Sequence, residues 1–241
     1  MKKTRIFKPS VDQLDSLHIV NTIERLKRRI GERFPGSGLS RVCNNFLGIS
    51  KKTKSRIAWI EKPNIPLRVG IATFVAAAVI SFIYSITLVD WNLDVDNGAE
   101  IIPLLEALLN DIILIGAALF FLFSIEVRIK RARSLEALHE LRSIAHVIDM
   151  HQLTKDPSIV TSADPSLQTP SSPKREMTAF QLKRYLDYCS EMLSLVGKVA
   201  ALYSTGFPDS EIVSAANDIE DLCTSLSRKV WQKIVVINAD S

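Results

Sequence analysis

Residues 66–133 run PLRVGIATFVAAAVISFIYSITLVDWNLDVDNGAEIIPLLEALLNDIILIGAALFFLFSIEVRIKRAR. This stretch contains two hydrophobic segments, which are separated by a short acidic turn and bounded on both sides by clustered Lys and Arg. The first segment has no charged residue from Val69 to Val89, enough for about 30 Å of helix, the thickness of the hydrocarbon core of a bilayer. The sequence therefore predicts a transmembrane helix over residues 68–90.

The second hydrophobic segment is less uniform. Its uninterrupted apolar run, 112–125, is too short to cross a bilayer, so the helix must begin earlier. Placing Pro103 in the first turn, where its missing amide hydrogen costs nothing, gives a span over residues 103–127. Asp111 then enters the membrane at a cost of about 2.5–3.5 kcal/mol, which the surrounding large apolar residues offset.

The charges on either side of these segments predict their orientation. Lys and Arg cluster before the first span and after the second, whereas the connecting loop, residues 90–100, carries acids and no base. Because cytoplasmic flanks are enriched in Lys and Arg, we expect both termini to be cytoplasmic and the loop to face outward. The expected location is a bacterial inner membrane or an equivalent plasma membrane. The basic amino terminus lacks the apolar core of a cleavable signal, so the first span is expected to be an uncleaved anchor.

Residues 1–65 are predicted to form a helical hairpin on the cytoplasmic side. Apolar residues recur at helical spacing in two runs, and the turn at Pro35–Gly38 separates them. The first helix has an apolar face and a basic face, so it either lies on the membrane surface or packs against the rest of the cytoplasmic part. Acidic residues on the same helix, among them Asp15 and Glu24, favour packing.

The second half of the chain is also helical by pattern. No breaker follows the second span, so its helix is expected to continue as a stalk over residues 134–153. Residues 178–237 predict an antiparallel helical pair that opens with a capping box at Thr178 and Gln181. The stalk and this pair would close a three-helix cytoplasmic bundle. The predicted fold class is all-α: a two-span transmembrane hairpin with amino- and carboxyl-terminal cytoplasmic helices that form a bundle.

Residues 154–177 differ in composition from the helices on either side. They are rich in Pro, Ser and Thr and contain few large apolar residues. Such a segment cannot bury enough apolar surface to fold, so it is predicted to be a disordered linker. Its hydroxyl groups leave phosphorylation open, although this composition is common in unregulated linkers.

Charge and cysteine content exclude several classes of function. The net charge of +4 comes mainly from the bases beside the spans, and no basic stripe is interleaved with aromatic residues, so no nucleic-acid partner is expected. Cys43, Cys189 and Cys223 are widely spaced and odd in number, which predicts free thiols and no zinc site. No cofactor or metal is predicted.

One group of polar side chains on the stalk is a candidate ligand-binding site. His139, Arg142, His146 and Asp149 recur at spacings of three, four and three, so they form a ridge along one side of a helix. Such a ridge could bind a phosphate or a metal. The two histidines would lie about 10 Å apart along the axis, too far for one zinc ion, so the alternative is that these residues hydrogen-bond across the bundle or face water.

Asp111 is the second candidate because intramembrane acids often line ion paths. No selectivity loop or broken helix accompanies it. The sequence has no nucleophile elbow, phosphate loop, dinucleotide fingerprint or zinc-protease motif, so the protein is not expected to be an enzyme.

The expected function is that of an integral membrane scaffold or accessory protein, which docks a cytoplasmic partner through the helical bundle. The alternative is an oligomeric channel-like or membrane-perturbing protein with Asp111 in the membrane. Two spans alone bury little surface, so the expected partners are the lipid bilayer and either further copies of the chain or another protein. No small-molecule substrate is identifiable.

Overall fold

The computed structural model describes residues 14–88, 98–157, 170–172 and 177–239. These residues form helices α1 (Ser16–Arg33), α2 (Gly38–Glu61), α3 (Ile65–Leu88), α4 (Gly98–Leu153), α5 (Ala179–Gly206) and α6 (Ser210–Ala239). The described residues contain no strand, which confirms the all-α fold class. The short run of β-branched residues at 235–237 lies inside α6.

Local signals account for the ends of these helices. The carboxylate of Asp15 accepts the main-chain N–H of Leu17 at 2.9 Å and caps α1. Gly36, with φ +70°, supplies the left-handed residue of the turn into α2. At the start of α5, Thr178 and Gln181 form the predicted capping box: each side chain bonds the other residue's main-chain N–H.

Helix α4 is a single helix of 56 residues, about 84 Å long. It contains both the predicted second span and the stalk, so the prediction that one helix continues through 134–153 is confirmed. The helix begins at Gly98, so Pro103 lies in its second turn and not in the first turn, where it was predicted.

The described chain divides into two compact units. One consists of the residues up to Ile60 together with those from Arg133 onward, and the other is Glu61–Ala132. The first unit therefore joins the amino-terminal helices to the stalk, α5 and α6.

The first unit is a five-helix bundle, because α1 and α2 contribute to the same core as the stalk, α5 and α6. Residues from all five helices are fully buried: Ile23, Leu26, Ile30, Leu39, Phe46, Leu141, Ile148, Leu186, Met192, Ile212 and Val230. The predicted three-helix bundle was therefore incomplete. Helical periodicity shows which face of a helix is apolar, but not which helix covers it.

Polar contacts fix how the bundle helices run. Arg56 of α2 pairs with Glu140 of the stalk at 2.5 and 3.0 Å, and Arg133 lies over the ring of Trp59 at 3.6 Å. Helix α2 thus runs antiparallel to the stalk. Lys183 near the start of α5 donates to Asn238 near the end of α6, so those two helices are antiparallel as predicted.

All three cysteines are free and buried in this bundle. Burial raises the pKa of Cys43 to about 11, of Cys189 to about 12 and of Cys223 to about 11. Because the thiolate is the nucleophile, we expect all three to resist maleimide at pH 7.5 and to react once the bundle is unfolded by denaturant.

The matched control for this prediction is Ser225→Cys, which places a thiol on the exposed face of α6. Mass spectrometry should show rapid labelling at position 225 and none at the natural cysteines. Rapid labelling of Cys189 in the native protein would contradict the described core.

The second unit contains α3 and the amino-terminal part of α4. Among the described residues, the stretch Gly38–Ile80, which takes in α2 and most of α3, includes a window long and apolar enough to cross a membrane, and 6% of that window is buried. By length and composition, one helix is therefore able to cross a membrane. The structure does not describe every side chain of residues 103–127, so the second span stays a prediction.

Large apolar side chains are exposed along both helices of the second unit. On α3 these include Ile65, Val69, Phe74, Val79, Ile80, Ile83 and Tyr84, and on α4 they include Leu109, Ile112, Ile113, Phe120 and Phe121. Contiguous apolar surface of this extent is rare on soluble monomers.

An ion-paired group links α3 to α4 inside this unit. Glu126 accepts from Arg68 at 3.1 and 3.2 Å and pairs with Lys130 at 3.0 Å. Lys130 also donates to the main-chain oxygen of Glu61 at 3.4 Å. Residue 68 begins the first predicted span and residue 126 lies one residue before the end of the second, so the contact joins the two ends that an antiparallel hairpin would bring together.

Two predicted segments fall wholly or partly outside the described residues. The acidic loop, 90–100, is described only from Gly98 onward, as the first turn of α4. Of the linker, 154–177, the structure describes 154–157, 170–172 and Met177. The outward orientation of the loop and the disorder of the linker therefore stay predictions.

Candidate functional site

The ridge on the stalk does not converge on a single point. His139, Arg142 and His146 are exposed, and Asp149 is half-buried. Arg142 lies 3.9 Å from Asp218 of α6. Asp149 accepts a hydrogen bond from the side-chain amide of its neighbour Gln152 at 2.6 Å, within the same helix.

His139 and Arg142 line a cavity of about 60 Å³ between the stalk and α6, which has room for one or two water molecules. Among the residues that the structure describes, no group of three or more His, Cys, Asp or Glu could hold a metal ion. Asp111, the other predicted candidate, lies in α4, but its side chain is outside the described part of the chain.

A polar cluster closes the bundle where the stalk ends. The ammonium group of Lys233 donates to the main-chain oxygens of Gln152 at 2.7 Å and Lys155 at 3.1 Å. A lysine at this point donates to carbonyls that have no partner within the helix, and its positive charge is attracted to the negative end of the helix dipole. Burial lowers the pKa of Lys233, against the opposing effect of Asp156 and Asp149. The cluster is therefore a helix cap built from α6.

His151 in this region packs directly on the first residue of α2. A Cβ atom added to Gly38 would lie 2.3 Å from His151 Cε1, so a substitution there forces the imidazole to move. Because the clashing atoms are the end of a half-buried side chain that can turn aside, we expect Gly38→Ala to lower the free energy of unfolding by no more than about 1 kcal/mol.

The same change in a His151→Ala background removes the clash and retains the lower unfolded-state entropy of alanine, so it should be neutral or stabilise by up to about 1 kcal/mol. Denaturant unfolding of the four proteins of this cycle, followed by thiol exposure, measures the coupling. An equal destabilisation by Gly38→Ala in both backgrounds would show that His151 does not restrict residue 38.

Burial lowers the pKa of His151, and the positive charges of Arg41 and Lys155 add to the effect. The unfolded chain then binds a proton more readily than the folded one. Stability should be complete above the unfolded pKa of about 6.5 and decline as the pH falls toward the lower folded pKa. Between pH 7.5 and 5, the free energy of unfolding should decline less in His151→Gln than in the wild type. An equal decline in both proteins would show that other groups cause the pH dependence.

A basic and aromatic groove, formed by Arg29, Glu32, Arg33, Arg184 and Tyr188, lies between the end of α1 and the start of α5. Its cavity has a volume of about 480 Å³. Phe180, in the first turn of α5, stands beside it with 59% of its surface exposed. This groove combines more open space, charge and aromatic surface than the predicted ridge.

The base of the groove is rigid because it belongs to the bundle core. Phe34 packs edge-on against Tyr185 at 5.5 Å and Tyr188 at 6.3 Å, measured between ring centroids. Arg29 lies over the Tyr188 ring at 5.6 Å and forms a two-point pair with Glu191. The carboxylate of Glu191 raises the pKa of Arg29, which is charged at any physiological pH.

The other two guanidinium groups of the groove share one ring. Arg33 lies 5.4 Å and Arg184 5.9 Å from the centroid of Phe180. Arg184 has a carboxylate neighbour, Asp187, at 3.3 Å. Arg33 has no carboxylate partner among the residues that the structure describes. An anion entering the groove would therefore meet at least one guanidinium with uncommitted donors.

Sequence reasoning did not find this groove. The arginines of α1 matched the basic outer face of an amphipathic helix, and Phe180 matched the start of another. The available signal was the aromatic residue inside the capping box, Phe180, at a position that the apolar stripe of α5 does not use.

Comparisons of the chain with family models, with curated proteins and with solved structures each gave no match.

Proposed function

We propose that this protein is an integral membrane scaffold or accessory protein. In this proposal α3 and residues 103–127 of α4 form a two-span hairpin, and the five-helix bundle docks a protein partner on the cytoplasmic side. The observation that carries the proposal is the row of exposed large apolar side chains on α3, because lipid is the solvent in which such a surface is stable.

The ion-paired group at Arg68, Glu126 and Lys130 supports the hairpin. A charged carboxylate is costly near a membrane unless cations satisfy it, and Glu126 has one cation from each helix. Pairing at the predicted inner ends of both spans favours two antiparallel crossings with the basic flanks on the same side.

The bundle supports a docking role over an internal ligand site. Its core is filled by side chains from five helices, and the largest open space described above, the groove between α1 and α5, lies at the surface. The stalk belongs to the same continuous helix as the predicted second span.

Purification of the full chain in mild detergent, with an unrelated two-span protein as control, tests the proposal together with an ion-flux assay on reconstituted vesicles. We expect a stoichiometric protein partner that the control lacks, and no flux. Flux that disappears in Asp111→Asn would overturn the proposal in favour of the channel-like alternative.

A further inference from the structure

We propose that the groove between α1 and α5 binds an acidic peptide segment of the partner protein. The inference rests on the proposed function, because it names the part of the bundle that docks the partner and the chemistry of the segment that it receives. Its elements are the stacked guanidinium groups, the exposed aromatic ring and the position of the groove within the bundle.

Stacking on Phe180 orients the guanidinium groups of Arg33 and Arg184 so that they can bind carboxylates. A guanidinium held over a ring keeps the N–H groups along its edges free, and two of these groups match the two oxygens of a carboxylate. Phe180 holds both Arg33 and Arg184 in this way. The groove therefore presents a pair of oriented cations on one aromatic support.

The balance of charge in the groove favours an acidic ligand. Its lining has three arginines and one acid, Glu32. Arg29 is paired with Glu191. Arg184 forms an ion pair with Asp187, but an exposed pair of this kind contributes little. The charge that a ligand would compensate is thus concentrated at Arg33 and Arg184.

Phe180 supplies apolar surface at the centre of this charge. Arginine and aromatic residues dominate the binding energy of protein interfaces, where they occupy partly enclosed pockets. The volume of about 480 Å³ is sufficient for several side chains of an extended segment. An acidic segment with an apolar residue beside its carboxylates fits both properties.

The groove lies at the end of the bundle away from Ile60 and Arg133, where the chain passes to and from the second unit. Helix α2 runs from Gly38, beside this end, to Ile60, a length of about 33 Å. The aromatic ring between the two guanidinium groups favours a peptide, which can place an apolar side chain beside its carboxylates, over a lipid headgroup.

The test uses the full chain in nanodiscs of phosphatidylcholine and a fluorescein-labelled peptide that carries one leucine among six glutamates, with binding followed by fluorescence anisotropy. We expect salt-sensitive binding that weakens about tenfold in Arg33→Gln/Arg184→Gln. The matched control is Arg25→Gln/Arg28→Gln, which removes the same charge from exposed positions on α1 outside the groove. It should weaken binding by less than about threefold.

Phe180→Ala provides a second variant because it retains every charge, and it should also weaken binding. Equal weakening by the two double variants, or no binding to the wild type, would overturn the inference. If phosphatidylserine in the nanodiscs abolishes peptide binding and the groove variants have no effect, the basic residues bind lipid headgroups and the inference is overturned. The measurement does not use the natural partner, so failure to purify a partner leaves its result intact.

Discussion

The variant Ile80→Arg is expected to insert poorly into membranes. Ile80 is 67% exposed and lies near the middle of the first predicted span. If lipid surrounds α3, an arginine at this depth costs about 2.5–3.5 kcal/mol, and the favourable transfer of isoleucine is lost as well. The fraction of protein retained in membranes after alkaline carbonate extraction should fall sharply.

The control for this prediction is Leu153→Arg, which changes a side chain that is 61% exposed at the end of the stalk. In water, replacing an exposed apolar residue by a charged one changes stability little. Leu153→Arg should therefore be retained in membranes like the wild type. If Ile80→Arg behaves the same way, α3 does not lie in lipid.

The second large effect is expected in the core of the bundle. Ile23 of α1 is fully buried, so Ile23→Ala should lower the free energy of unfolding of the bundle by about 2–5 kcal/mol through lost burial and a residual cavity. The denaturant dependence of thiol exposure at Cys43 and Cys189 measures this free energy in mild detergent.

Leu17→Ala on the same helix is the control, since that side chain is 59% exposed and should cost less than about 0.5 kcal/mol. The comparison also separates the two roles open to α1. A helix lying on the membrane surface would leave bundle stability nearly unchanged in Ile23→Ala, and this result would remove α1 from the core.

Features that depend on neighbouring residues were predictable from the sequence. The capping box at Thr178, the turn at Gly36 and the uninterrupted stalk each follow from a few adjacent side chains, and the structure confirms them. Helical spacing also identified the buried positions Ile23, Leu26 and Ile30 of α1, but Leu14 and Leu17, predicted on the same face, are 44% and 59% exposed because they lie at or just before the start of the helix, outside the core.

Features that depend on distant pairing were not predictable. The groove requires Arg33 to meet Phe180 and Arg184, far away in the sequence, and each residue alone has an ordinary explanation as part of a solvated face or a helix start. The same limit applies to the bundle, where the partners of α1 and α2 follow from packing. The stalk ridge shows the converse: regular spacing places His139 and His146 on one side of a helix without giving them a common ligand.

The most direct test of the central claim uses single cysteines introduced by Asp94→Cys and Lys54→Cys, since the natural cysteines are buried. Intact cells that express each protein are treated with a membrane-impermeant maleimide before and after permeabilisation. Two crossings with the bundle inside predict labelling of position 94 in intact cells and of position 54 only after permeabilisation. Labelling of position 54 in intact cells, or protection of position 94 until permeabilisation, would contradict that arrangement.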